Sequence, residues 1–289
     1  MAKTTDTRLT VAKTYKLFIN GKFPRTESGR YYKVADRKGG VLANACLASR
    51  KDLREAVVAA RACAKAWQST NAYLRSQILY RMAEMLEARR ASFVDVRRAL
   101  GDTPQRAERA VDGAVDDIVY YAGWCDKLTQ VFGAINPVAT SHYNFSSLEP
   151  VGVVGALAAR GGGLTGLIDA LLPALAGGNT VVALADTDDP LTAILLAEVI
   201  HASDVPAGVV NILTGEYADV GPHMARHKDV NAVVHALAAG EVRTQFEREA
   251  AINIKRVVGP GDQRSNAAAS PYRILATTET KTTWHPVGT

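Results

Sequence analysis

Only three of the 289 residues are cysteine, Cys46, Cys63 and Cys125, too few and too scattered for a disulfide framework or a zinc site. Cys63 falls in an alanine-rich helical pattern and reads as a small buried thiol rather than a nucleophile. No run approaches the roughly twenty apolar residues a membrane span requires, and the N-terminus has no apolar signal core. The expectation is a cytoplasmic protein with no membrane partner. A dense basic block is missing as well. The formal charge of +5 is spread over pairs such as Arg89-Arg90 and Arg97-Arg98, inside helical segments rich in Asp and Glu. These pairs read as solvated helix faces and not as a nucleic-acid surface. There is no internal repeat.

What is present is a globular composition, 47% hydrophobic and 22% charged, in a chain long enough for one large domain or two ordinary ones. A polar tail precedes a strand at Tyr15–Ile19, and Asn20-Gly21 is a hairpin signal because both positions tolerate positive φ. From Ser49 the period changes to three and four residues, with Leu53, Val57, Ala60, Cys63 and Trp67 on one helical stripe. Ser49 and Asp52 resemble a capping box. Further helices are expected over Tyr73–Glu87 and Ala91–Leu100, and a long one from Pro104 to about Phe132. Gly133 to Glu149 looks extended, with Tyr143 and Phe145 on one face. After Pro150 an α/β rhythm sets in: strands at 151–157, 180–184, 209–213 and 230–234, joined by helices, then a charged helix over 240–251 and a last apolar run at 252–258. That alternation implies a parallel sheet. The chain ends in an extended Thr-rich segment, Tyr272 to Trp284.

Between the first strand and helix of this rhythm, Gly161, Gly163 and Gly166 fit G-x-G-x-x-G, and Asp186 follows at the spacing of a ribose-binding acid. Such a loop, with Arg160 beside it, holds phosphate at a helix N-terminus in many nucleotide sites.

The order of motifs resembles the NAD(P)-dependent aldehyde dehydrogenases. It is carried by Phe18–Phe23, the helix ending in Trp67, Glu149–Gly155, Pro173–Val182, Pro206–Asn211 and Thr214-Gly215, over about residues 15 to 258. Thr278–Trp284 resembles the family's C-terminal strand. The resemblance implies an α/β fold, a Rossmann-like parallel sheet with N-terminal helices and a small β oligomerisation arm. It divides the chain into a flexible tail (1–14), an NAD-binding-like domain (15–258) with the arm at 134–148, a linker (259–271) in place of the catalytic domain, and a C-terminal oligomerisation strand (272–289).

The working parts of the family do not carry over. Where it has Pro-Trp-Asn-Phe-Pro, whose Asn helps bind the developing oxyanion, this chain has Ala159, Arg160, Gly161, Gly162 and Gly163. Glycine offers no side-chain amide, a donor typically worth roughly 3–4 kcal/mol of barrier. The family's ribose-gripping Lys and Glu are matched by Leu184 and Thr187, with Asp186 one place from the acid. Its Phe-Thr-Gly-Ser cofactor turn is matched by His235-Ala236-Leu237-Ala238, and Val242 stands where a second glycine is expected. No cysteine follows Cys125, so no family nucleophile is in reach of the sequence. The reading is therefore an inactive member with no catalytic residues and no NAD or NADP bound in the family mode. The glycine loop is then either a vestige or a phosphate or nucleotide module built from Arg160, Gly161, Gly163, Gly166 and Asp186.

His223 and His227, four apart, read as a surface pair without a third metal ligand, and His285 as a surface or interface residue. Asp188-Asp189-Pro190 reads as a helix cap. What survives of the family is its assembly apparatus, about 134–148 and 272–286. The expected role is a structural or regulatory subunit whose partner is a full-length aldehyde dehydrogenase or a second copy of itself. A chain that completes a partner's active site is the remaining alternative.

Overall fold

The computed structural model describes residues 11–260 and 269–288. The tail expected over 1–14 and the linker expected over 259–271 therefore lie largely outside the described residues.

Strands β1 (Thr14–Tyr15), β2 (Tyr31–Ala35) and β3 (Val41–Cys46) form a small sheet in the order β1-β3-β2. Between β1 and β2 stands the expected hairpin. Ile19 and Lys22 exchange backbone hydrogen bonds at 2.9 and 3.0 Å, around Asn20 and Gly21 at φ 52° and 68°, the left-handed values that a type I′ turn requires. Helices α1 (Arg50–Ser69), α2 (Ala72–Glu87), α3 (Arg90–Ala99) and α4 (Pro104–Ala122) follow. The capping box is formed: the Ser49 hydroxyl accepts from the Lys51 and Asp52 amides, and Asp52 accepts from the Ser49 amide at 2.7 Å.

Two expectations need correction here. The helix expected to reach Phe132 stops at Ala122, and a separate α5 (Leu128–Phe132) resumes after a turn. Gly123 is a poor helix residue. The turn it opens lets Cys125 and Leu128 both enter the core, while Trp124 lies against the rings of Tyr120 and Phe132. The second concerns the basic pairs. Arg97 is not on a solvated face; it is 8% exposed, one turn from the fully buried Phe93.

Strands β4 (Ala134–Asn136) and β5 (His142–Pro150) precede the α/β succession of β6 (Val153–Leu157), α6 (Gly163–Ala176), β7 (Thr180–Leu184), α7 (Pro190–His201) and β8 (Val210–Leu213). It continues with α8 (Tyr217–Arg226), β9 (Ala232–His235), α9 (Glu241–Ala251) and β10 (Arg256–Val258). Helix α8 has no counterpart in the sequence reading, because Gly221 and Pro222 interrupt its pattern. Strands β6 to β10 pair in parallel in the order β10-β9-β6-β7-β8. Strands β6, β7 and β8 are buried at every position, as unbroken apolar runs covered on both faces should be. Leu53, Val57, Val220 and Phe246 of α1, α8 and α9 cover one face. Leu79, Ile118, Leu171 and Leu196 of α2, α4, α6 and α7 cover the other. The hairpin closes the β8 edge, with Phe18 and Ile212 exchanging backbone hydrogen bonds at 2.9 and 2.8 Å. Because the strand order turns back at β6, the carboxyl ends of β6 and β9 diverge there, where open α/β sheets take their ligands.

The segment expected to be extended from Tyr272 begins instead with a helical turn, α10 (Pro271–Leu275), and only then becomes β11 (Thr278–Pro286). Ser270 caps the turn, Pro271 suits its first position, and Ile274 is fully buried. Burying that side chain rewards the helical conformation over a free strand. Arg273 reaches Asp169 of α6 at 2.7 Å. Strand β11 pairs antiparallel with β5 over its whole length, from Thr278 opposite Pro150 to Pro286 opposite His142, and β4 pairs on the other side of β5.

The small sheet is joined to the large one by Asn179, which is buried. Its Oδ1 accepts from the Gly152 amide at 2.9 Å, and its Nδ2 donates to the carbonyls of Ala174 and Thr277 at 3.1 and 3.0 Å. Asn179→Ala removes the partner of the Gly152 amide and one of two donors to each of the Ala174 and Thr277 carbonyls, which keep the amides of Asn179 and Val151. It is expected to lower unfolding stability by about 2–4 kcal/mol in urea titrations.

Burial and then the charge of Asp169 push the Asp117 carboxyl up to about 6. Its folded-state value thus exceeds its unfolded one, so ionisation of Asp117 opposes folding above pH 6, and the effect fades as the pH falls toward 4. Asp117→Asn is expected to raise stability at pH 8 by on the order of 1 kcal/mol, a figure reduced because the group is only half-buried. Thermal melts at pH 4 should show little difference.

Candidate functional site

The glycine loop lies at the carboxyl end of β6, at the turning point of the sheet. Helix α6 starts at Gly163 itself, so the loop supplies its first turn. The backbone demands glycine at Gly161 and Gly163, with φ of 72° and 51°. At Gly163 space demands it too, since a Cβ there would overlap the guanidinium of Arg97. Gly166 meets only ordinary contacts with Ala159.

Asp186, two residues beyond β7, is buried and turned toward this loop. Its Oδ2 accepts from the Gly163 amide at 3.3 Å and its Oδ1 from the Asp188 amide at 3.1 Å. A carboxylate of the chain thus sits at the N-terminus of α6, where the helix dipole favours an anion. Arg160 is exposed and paired with Asp188 at 3.3 Å. Of the five loop residues singled out in the sequence, the fold brings Gly163 and Asp186 together. Arg160 reaches Asp188 instead, and Gly161 faces open space.

Beneath the loop is an ionic cluster with no sequence motif. Arg97 donates to Asp189 at 2.9 Å and forms an ion pair with Asp102 at 2.5 Å, and Arg106 reaches Asp102 at 3.2 Å. Asp189 also caps α7, as expected, accepting from the Thr192 amide at 3.1 Å. Burial raises the Asp189 pKa, opposed by its bonds from Thr192 and Arg97. The Tyr32 phenol close by is pushed far up by burial and then by Glu216, Asp186, Asp188 and Asp189. Of these acids Asp188 and Asp189 are paired with Arg160 and Arg97, and Asp186 is the one bonded to the loop. The signal that could have located Arg97 is its i, i+4 spacing from Phe93, which places both on the inward stripe of α3.

Around the loop, Leu184 and Ala185 are buried, and the Thr187 hydroxyl donates to the Gly215 carbonyl at 2.8 Å. His235 is buried with its ring edge-on to Phe246 at 5.4 Å, and its Nδ1 accepts from the Leu237 amide. Burial pushes the Cys63 and Cys125 thiols up to about 11 and about 12, and Cys46 is buried. Both shifted thiols are protonated at neutral pH. Among the described residues no group of three His, Cys, Asp or Glu side chains is arranged to hold a metal, and no helix is long and apolar enough to cross a membrane. His285 lies exposed on β11, opposite Tyr143.

Parallel strand order and a helix that begins in a loop at the turning point define a Rossmann-like α/β protein. Its family is fixed by comparison. The aldehyde dehydrogenase family model matches residues 23–259, and the chain belongs to the aldehyde dehydrogenase family. It is 31% identical over 249 residues to the putative aldehyde dehydrogenase DhaS of Bacillus subtilis, covering 84% of this chain and 50% of that protein. It is 33% identical over 221 residues to the D-glyceraldehyde dehydrogenase (NADP(+)) of Thermoplasma acidophilum, covering 75% and 44%. The NAD+ complex of an aldehyde dehydrogenase from Bacillus cereus superposes with a TM-score of 0.79 at 28% identity, over 86% of this chain and 50% of that one. The chain spans about half the length of the relatives it matches.

The geometry makes Gly163 a structural position. Gly163→Ala combines a left-handed φ with overlap on Arg97, and is expected to destabilise by about 2–4 kcal/mol in chemical denaturation. Asp189→Ala leaves Arg97 buried without its main partner and is expected to cost about 3–5 kcal/mol.

Proposed function

We propose that this chain is a catalytically silent member of the aldehyde dehydrogenase family that works as a structural or regulatory subunit. Its partner is a full-length aldehyde dehydrogenase, with self-association as the fallback. The observation that carries this reading is the sheet of β4, β5 and β11. Ile135, Phe145 and Tyr143 share one of its faces, with Ile135 71% and Tyr143 45% exposed. Strands β11 and β4 end the sheet among the described residues, so their outer edges offer unpaired backbone groups. An added strand from a partner satisfies such an edge, and a partner's apolar surface covers such a face.

Three features favour silence over activity. The two thiols with raised pKa are not poised as thiolates. The N-terminus of α6 is already bonded to Asp186, a buried carboxylate that repels the phosphates of a dinucleotide. Residues 259–277 are all that lie between β10 and β11, where the family resemblance calls for a catalytic domain. The residues present do not fit NAD or NADP in the family mode. The same carboxylate weighs against the loop of Arg160, Gly161, Gly163, Gly166 and Asp186 as a nucleotide module.

Co-expression with a full-length aldehyde dehydrogenase from the same cells tests the reading. Co-elution of the two chains is expected, and it should be lost in Ile135→Asp/Tyr143→Asp. A lone monomer under all conditions would sink the proposal. The purified chain should not reduce NAD or NADP with aldehydes. A rate proportional to its own concentration would show it to be an enzyme, and a rate seen only in the mixture would mark a chain that completes a partner's site.

A further inference from the structure

The strongest unabsorbed feature lies away from the glycine loop, in a cleft of about 610 Å³ between the start of α1 and the end of α8. Its walls carry Arg50, Lys51, Arg54 and Arg226, together with His223 and His227. The one carboxylate in the lining, Glu27, pairs with Lys51 at 3.4 Å. Arg226 is paired with Glu249. Among the described residues, neither Arg50 nor Arg54 has an ion-pair partner. Four cations against Glu27 and the Glu249 carboxylate that pairs with Arg226 leave a net charge of +2 when both histidines are neutral, carried by Arg50 and Arg54.

Three of these cations, Arg50, Lys51 and Arg54, oppose the stability of α1, the helix that bears them. They stand in its first two turns, where the dipole disfavours positive charge, and Arg50 and Arg54 form an i, i+4 pair of like sign. The one acid of that first turn, Asp52, is buried and bonded to Thr26 and to the amides of Glu27 and Ser49, and makes no ion pair with the arginines. A fold violates its local rules most often where function requires it. The His223 imidazole reports the same field. Burial, Arg50 and Arg226 lower the pKa of His223. His227 accepts from the Asp229 amide through Nδ1 at 3.2 Å, which leaves Nε2 as the protonated nitrogen of its neutral form.

We propose that this cleft binds an oligophosphate, the pyrophosphate or triphosphate group of a free polyanion or of a small metabolite. The two unpaired arginines and the net charge of +2 suit a multiply charged anion, and the volume is that of a small-ligand site. Arginine forks suit phosphate oxygens. Apart from its two imidazoles the lining has no aromatic ring, so recognition rests on the phosphates and not on a base. The site is independent of the subunit role proposed above, and it stands or falls separately.

Calorimetric titration of the full chain with inorganic pyrophosphate and with ATP tests the proposal, backed by thermal shift. Saturable one-site binding of pyrophosphate is expected, weakened by at least about tenfold in Arg50→Ala/Arg54→Ala and unchanged in Arg160→Ala. Both arginines are exposed and the capping box is left intact, so the double variant should melt at the same temperature or slightly above. Arg54→Gln alone should weaken binding in the same direction. ATP bound as well as pyrophosphate marks recognition of phosphate alone, and ATP bound more tightly marks a nucleotide as the source. No saturable binding at millimolar pyrophosphate, full binding by the double variant, or loss of binding in Arg160→Ala would overturn the assignment.

Discussion

One buried side-chain amide holds two architectures in register. Asn179 takes a hydrogen bond from the backbone just before β6 and gives two, to the end of α6 and to the residue before β11. All three lie where a helix or a strand begins or ends, the places at which backbone groups most need partners from outside the element. The parallel sheet, the helix that follows it and the antiparallel arm therefore share one fixed point. Any shift of the arm would strand a backbone carbonyl in the interior. The 2.7 Å contact of Arg273 with Asp169 adds a second, charged tether between the same parts.

A comparable economy governs the loop at the turning point of the sheet. In nucleotide-binding folds the first amides of such a helix wait for a ligand's phosphate. Here Asp186 takes one of them, and Arg97, Asp102 and Asp189 fill the space below. Burial of so many charges is tolerable because each is paired, capped or both. The price is rigidity around Gly163, where even a methyl group has no room. What looks in the sequence like a receptor for an anion is, in the fold, a joint held by the chain's own carboxylates.

The sequence made the scaffold legible because its signals were local and repeated. The Asn20-Gly21 turn, the Ser49–Asp52 box, the Asp189 cap and the strand at 180–184 all follow from short-range chemistry and are all present. Failures came where distant residues decide. Arg97 reads as one of a solvated pair, yet acids from α7 and the start of α4 draw it inward. Tyr272 belongs to a helical turn because Ile274 finds a pocket against α6, which no local pattern announces. The partner of Asp186 was equally hidden, since spacing identifies an acid near a glycine loop but not which way it turns.

The pairing of β5 with β11 has a consequence for the newborn chain. Strand β5 emerges from the ribosome well before its neighbour β11, more than a hundred residues later in the sequence. At ordinary synthesis rates that interval is on the order of ten seconds. Throughout it the long flank of β5 stays bare, and only the short β4 lies beside it. The arm thus matures later than the parallel sheet, and translation itself sets the moment at which its surface is complete.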